Sequence, residues 1–108
     1  MSETVVIILS FRQGETEQFE KLFSTQIYPL WQEFKAQGKI IAASLTPALD
    51  APKMKEGVRE YLLLVEVPSR AEHEQFDTDA RFLGFLEKVK KSQPEEPRVW
   101  LGNTLFKI

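Results

Sequence analysis

The chain carries one histidine, His73, inside the stretch EVPSRAEHEQFDTDARFLGFLEKVKK from Glu66 to Lys91. Histidine is the side chain whose ordinary ionisation suits proton transfer near neutral pH. Glu72 and Glu74 flank it, and neighbouring carboxylates favour the charged imidazole. Phe76 follows three residues on, so His73 borders an apolar stripe and can face a cavity as a base. The alternative is a histidine on a solvated helix surface. Asn103 follows Gly102 in the otherwise apolar LGNTLF, where its amide either steadies an oxyanion or satisfies a distorted strand. Arg12 closes one apolar run, and an inward guanidinium there would hold an anionic or phenolic oxygen; a solvated strand end is the alternative, as it is for Arg59 and Arg98. Tyr28 and Trp31 sit beside Pro29, with Tyr61 and Trp100 on later apolar runs. Each is either core or the wall of a ligand pocket, and their O–H and N–H groups need partners when buried.

Other chemistries find no residues to carry them. No cysteine is present, which excludes disulfides, zinc–thiolate sites, iron–sulfur clusters and thiol nucleophiles. One histidine among scattered carboxylates gives no metal-ligand spacing, and no metal or cofactor is expected. No Ser-His-Asp set can be assembled, and LGNTLF has too few glycines for a phosphate loop. With 14 basic and 16 acidic residues the net charge is -2, without the basic stripe of a nucleic-acid binder. The longest apolar runs, VVIIL and YLLLVEV, fall far short of a membrane span. The start, MSETVV, does not read as a secretory leader, so the cytoplasm is the expected compartment.

The 108 residues suit one domain spanning 1–108. TVVIILSF, Thr4 to Phe11, reads as a buried strand. From Thr16 to Gln37, Phe19, Leu22, Phe23, Ile27, Leu30, Trp31 and Phe34 recur at helical spacing. Pro29 within that run predicts a kink near Gln26 to Pro29, or two helices split there. Gly38 is placed to cap the helix. A second strand is expected at Ile40–Thr46, then a polar loop from Pro47 to Gly57, then a third strand at Val58–Val67. Ser69 and Glu72 have the spacing of a capping box. Two helical pieces follow, SRAEHEQF and ARFLGFLEKVKK, the second capped by Asp77 or Asp79. A last strand lies within Val99–Ile108, with a bulge expected at Gly102. The order β-α-β-β-α-β is that of an α+β, ferredoxin-like domain: a four-stranded antiparallel sheet with helices on one face.

Two helices roof only one face, and the other should be polar. Adjacent residues in TVVIIL and YLLLVEV are nevertheless all apolar, and adjacent strand residues point to opposite faces. Leaving an apolar face wet forgoes about 25 cal/mol per Å². A homodimer through the free sheet face buries both copies at once. The rival arrangement folds the polar Pro47–Gly57 loop over that face.

With this order of elements, the proline-bearing IYPLWQEFKAQGK, and VEVPSRAEHEQFDTDARFLGFLEK with Phe82, Phe85 and Leu86, the chain resembles the dimeric α+β barrel superfamily. It is most similar to the antibiotic-biosynthesis-monooxygenase type. The resemblance implies a homodimer with a helix–sheet cavity for a small apolar or aromatic ligand. It also implies functions that include cofactor-independent oxygenases, isomerases and ligand-binding domains. Members of the oxygenase kind often place an asparagine near the end of the first strand and a tryptophan near the end of the third; here stand Ser10-Phe11-Arg12 and Glu66-Val67-Pro68. The histidine of haem-degrading members has no counterpart in Phe82-Leu83-Gly84-Phe85-Leu86. The expectation is therefore a small-molecule-binding protein of unassigned activity, with a cofactor-independent monooxygenase or isomerase as the alternative. A cavity that holds His73 and a converging polar group would favour the enzyme.

Overall fold

A computed structural model describes residues 1–108, and Glu3–Arg12 (β1) is the strand around which they are arranged. β1 pairs antiparallel with Val58–Val67 (β3) in an unbroken register from Glu3 opposite Val67 to Arg12 opposite Val58. On its other side it pairs with Arg98–Asn103 (β4), Glu3 opposite Asn103 and Ile8 opposite Arg98. Ala42–Pro47 (β2) completes the sheet against β3, in the order β2-β3-β1-β4. The long β-branched and leucine-rich runs take the two central places, where both edges of a strand are hydrogen-bonded. Pro47 lies on an edge strand, where its missing N–H is tolerated. The fold is the ferredoxin-like βαββαβ arrangement.

The long helical run is two helices, Thr16–Gln26 (α1) and Tyr28–Ala36 (α2). Pro29 lies in the first turn of α2, where it needs no partner for a backbone N–H. The break is narrow: Ile27 N–H still reaches the Phe23 carbonyl at 2.9 Å, and Trp31 N–H reaches Ile27 at 2.8 Å. α2 ends in a left-handed turn at Gly38 (φ +73°), and Lys39 N–H bonds back to the Phe34 carbonyl. Arg70–Asp77 (α3) and Ala80–Val89 (α4) form the second helical layer, and Asp79 caps α4 by accepting from Arg81 N–H at 2.8 Å.

Alternation along the strands sends Val5, Leu9 and Phe11 of β1 and Tyr61, Leu63 and Val65 of β3 under the helices, where all are buried. The centre of this core is aromatic. Phe11 stacks on Phe19 at 3.9 Å between centroids, and Tyr61 meets Phe19 edge-on at 4.9 Å. Such pairs add about 0.5–1.5 kcal/mol each beyond the area they bury. The alternate residues face away from every helix. Leu62 and Leu64 are 36% and 40% exposed, against 9% for Leu63 and Val65 between and beside them. The Pro47–Gly57 loop carries the exposed Leu49 at 93%, so that side chain roofs nothing.

Three local expectations are corrected. Gly102 stands opposite Thr4 in regular pairing, so β4 has no bulge there. The Ser69 hydroxyl donates to the Glu72 carboxylate and caps no backbone N–H, so the capping box is not formed. β2 starts at Ala42 and not at Ile40; Ile40 turns inward and is buried before the strand begins. At the other end, β4 stops at Asn103. Thr104 N–H bonds Ser2, and Leu105, Phe106 and Ile108 run on exposed.

Candidate functional site

A cavity of about 320 Å³ lies between the helical layer and the inner face of the sheet. That size is at the lower end for small-molecule sites. Of the 19 residues lining it 15 are hydrophobic, among them Ile7, Val65, Phe23, Trp31, Phe85 and Leu86, so any polar group there is conspicuous. The polar groups are His73, Asp77 and Gln93. The inner side of β4 forms the least covered wall, with Val99 still 59% exposed.

His73 stands on α3 above the start of β1. Its position follows from helical spacing: Phe76, three residues on, is buried against Phe34 and Phe82, and that anchors the same face of α3 on the sheet. Nδ1 of His73 lies 3.0 Å from Oε1 of Glu3, and Nε2 lies 2.8 Å from Oδ2 of Asp77, one turn further along α3. Arg70 Nε donates to both Glu3 oxygens at 3.1 and 2.9 Å. Glu3 is itself buried, although it occupies the same side of β1 as Val5 and Leu9. Burial alone pushes its carboxyl up, but the hydrogen bonds from Arg70 and His73, with their charges, outweigh this and hold it below the usual range. A neutral imidazole has one N–H, so only the protonated ring donates to both carboxylates at once. Asp77 is half exposed at the end of a short helix and can turn to solvent. A neutral ring that keeps its N–H on Glu3 carries its free lone pair on Nε2, the nitrogen that Asp77 faces. Glu3 and Asp77 approach opposite ring nitrogens and do not converge on one point, and no set of three His, Asp or Glu side chains is placed to hold a metal ion.

Gln93 enters the cavity from the chain between α4 and β4. It follows the short 3₁₀ turn Lys90–Ser92, and its Oε1 is buried with no hydrogen-bond partner.

A second cleft of about 450 Å³ lies on the far side of Trp31, between α1, α2 and β2. Tyr28, Tyr61, Ser24 and Ser44 line it. Tyr61 donates its hydroxyl to Glu20 at 2.5 Å; burial, then the acceptor carboxylate, push the phenol well above its ordinary value, so it stays a donor.

The structure therefore brings His73 and Trp31 to one cavity and gathers Trp31, Tyr28 and Tyr61 at the neighbouring cleft. Asn103 pairs with Glu3 across the strands but is exposed and outside the cavity wall. Trp100 is 55% exposed on the open face, with the Arg98 guanidinium 5.7 Å from its ring. Arg12 points away and donates to the Lys91 carbonyl at 2.9 Å. Sequence reasoning passed over Glu3, Arg70, Asp77 and Gln93. Glu3 had a signal: a carboxylate at the buried parity of a strand has to find a cationic or hydrogen-bonding partner. Asp77 lies at the i+4 position from His73. Nothing in the sequence marked Gln93.

No family model and no curated protein matches the chain. Solved structures do. Rv0793 from Mycobacterium tuberculosis superposes with a TM-score of 0.78 at 16% identity, over 99% of this chain and 98% of that one. An antibiotic biosynthesis monooxygenase gives 0.72 at 13% identity, over 95% and 98%. A dimeric ferredoxin-like protein from an uncultured marine organism gives 0.77 at 15% identity, over 99% and 90%. At these identities the likeness is one of fold.

Proposed function

We propose that the chain is a homodimeric small-molecule-binding protein whose helix–sheet cavity takes a compact apolar or aromatic ligand. His73, oriented by Glu3, moves a proton on that ligand. The observation that carries this reading is the placement of the imidazole: it lines an apolar cavity while a buried carboxylate, itself clamped by Arg70, holds its Nδ1. Glu3 orients Nδ1, and a ligand that displaces the half-exposed Asp77 from Nε2 meets the nitrogen that a general base would use. The ligand that suits it has an acidic O–H or C–H on an apolar frame, a phenol or an enolisable ketone. The walls are mostly apolar, and Trp31 supplies a flat wall for a ring. Removal of that proton is a complete isomerase half-reaction. It is also the step that would prepare a substrate anion for dioxygen in a cofactor-independent monooxygenase, the alternative that the similar monooxygenase structure brings to mind.

The dimer half of the reading rests on the open face. Val6, Ile8, Leu62, Leu64 and Trp100 form an apolar strip across β4, β1 and β3, and no helix of the same chain covers it. A second copy supplies a matching strip, and the dimeric state of one similar structure supports the same solution.

The proton-transfer reading is tested with 2-tetralone, an enolisable bicyclic ketone, by following deuterium incorporation beside its carbonyl in D₂O by NMR. The protein is expected to accelerate exchange, and His73→Ala to lower that rate by about 10²–10⁴-fold. Exchange at the buffer rate with the unaltered protein, or full activity in a folded His73→Ala, would remove His73 from the chemistry.

A further inference from the structure

We infer that Asp77 holds the place of the ligand's own charged group, so that the cavity takes an apolar acid whose carboxylate, or other oxyanion, replaces Asp77 at Nε2 of His73. This rests on the cavity being a binding site and adds the charge and the anchoring group of the molecule that fills it.

His73 has a carboxylate at each ring nitrogen, and the two are held very differently. Glu3 stands on the central strand with its side chain 6% exposed, and it accepts two hydrogen bonds from Arg70 Nε besides its contact with Nδ1. Asp77 has a side chain 53% exposed, and its one ion pair is with His73. It is also the last residue of the eight-residue helix α3. A carboxylate there faces unpaired carbonyl groups at the negative end of the helix dipole, so its own helix disfavours it. Only the contact with His73, one turn earlier, offsets this. Asp77 is therefore the carboxylate that can leave, and Glu3 is the one that stays.

His73 and Asp77 both line the helix–sheet cavity, so the place that Asp77 vacates lies at its wall. Charge then selects the guest. Glu3 and Arg70 balance each other, which leaves the protonated ring, 15% exposed, with Asp77 as its counter-charge. No lysine or arginine lines the cavity. A neutral guest that pushes Asp77 aside leaves the imidazolium unpaired in mostly apolar surroundings, which is costly. A guest with its own oxyanion restores the pair, and Asp77 turns to water. The enolate or phenolate left when His73 takes a proton is an oxyanion of the same kind, so a stable apolar acid imitates it.

The test compares naphthalene-2-carboxylate with its neutral isostere naphthalene-2-carboxamide, by calorimetry on the full chain at one pH. The unaltered protein should bind the acid about tenfold more tightly, the difference between a charge-assisted and a neutral hydrogen bond. Asp77→Asn keeps the size of the side chain and removes its charge. In that variant the acid should gain about a further tenfold, with the amide unchanged. His73→Gln should erase the acid's advantage. His73 is the only histidine, so its ring is followed directly by nitrogen NMR; the acid should hold it doubly protonated and the amide should not. Equal affinity of the two probes for the unaltered protein, or no gain for the acid in Asp77→Asn, would overturn the assignment. An equal gain for both probes would also overturn it, since Asp77 would then only fill space. Failure of both probes to bind at all would sink the cavity reading itself, a distinct result.

Discussion

One sheet has two unlike faces made from alternate residues of the same strands. On the inner face, Val5, Leu9, Phe11, Tyr61, Leu63 and Val65 meet four helices and become core. On the outer face, Val6, Ile8, Leu62 and Leu64 are equally apolar in sequence yet meet no element of their own chain. The polar residues of the two faces also differ. Inside, they are few and hydrogen-bonded: Glu3 to Arg70 and His73, and the buried Tyr61 to Glu20. Outside, Glu60 pairs with Arg98 at 3.2 Å and Glu66 with Lys107 at 2.8 Å, a solvated border around an apolar strip. Hydrophobicity decides that a face needs covering, and the chain's connectivity decides which face it covers itself. The inner face is roofed by the chain's own helices, and the outer face is left open by them.

The largest effect separates the faces by one residue. Leu63→Asp places a charge in the core, at a cost of several kcal/mol out of a total of roughly 5–15, and should unfold the chain. Leu62→Asp, its outward-facing neighbour, should leave circular dichroism unchanged and reduce the solution mass from two chains to one in sedimentation. If Leu62→Asp and Leu64→Asp both remain dimeric, the open face is not the interface.

A middle-sized effect probes the inner rim. Glu3 ionises below its ordinary value of 4.5 in the folded chain. It therefore adds stability above that pH and loses it as pH falls through the lower, folded value. The gap in melting temperature between the unaltered protein and Glu3→Gln should be widest near neutrality and should close in acid. Glu33, Glu66, Asp79 and Glu95 are held low by their own cationic or hydroxyl partners, so the variant keeps most of the general acid loss. A gap that is constant with pH would mean that the Arg70–Glu3–His73 cluster does not stabilise the fold.

The smallest effect concerns the tie between sheet and roof. Tyr61→Phe keeps the ring among Phe11 and Phe19 and loses only the hydrogen bond to the exposed Glu20. About 1 kcal/mol, or a few degrees of melting temperature, is expected. A loss several times larger would show that the bond also holds the packing around Tyr61 in place.

The scaffold was legible because its signals are local and repeated. β3 begins and ends at the residues the sequence marked, between Gly57 and Pro68, and the apolar spacing of Phe19, Phe23, Ile27, Leu30 and Phe34 gave the helix face whichever way Pro29 divided it. Signals of one or two residues fared worse. Gly102 read as a bulge because a glycine in a strand has several uses, and only pairing with Thr4 selects one. Of the residues proposed for the site, His73 and Trp31 reach the cavity; Tyr28 and Tyr61 sit behind it, and Arg12, Trp100 and Asn103 lie elsewhere. Strand parity alone was insufficient for Trp100, because which parity is roofed depends on where the helices pack, not on the strand itself.

The sequence by itself determined the order of elements, the excess of apolar strand surface and the lack of thiol chemistry, since these depend on composition and on periods of two and 3.6 residues. Only the tertiary structure decided that Glu3 meets both Arg70 and His73 and that Gln93 stands in the wall of an apolar cavity. Those meetings join residues up to seventy positions apart. Antiparallel pairing and helix packing bring them within three ångströms, and no local pattern encodes that proximity.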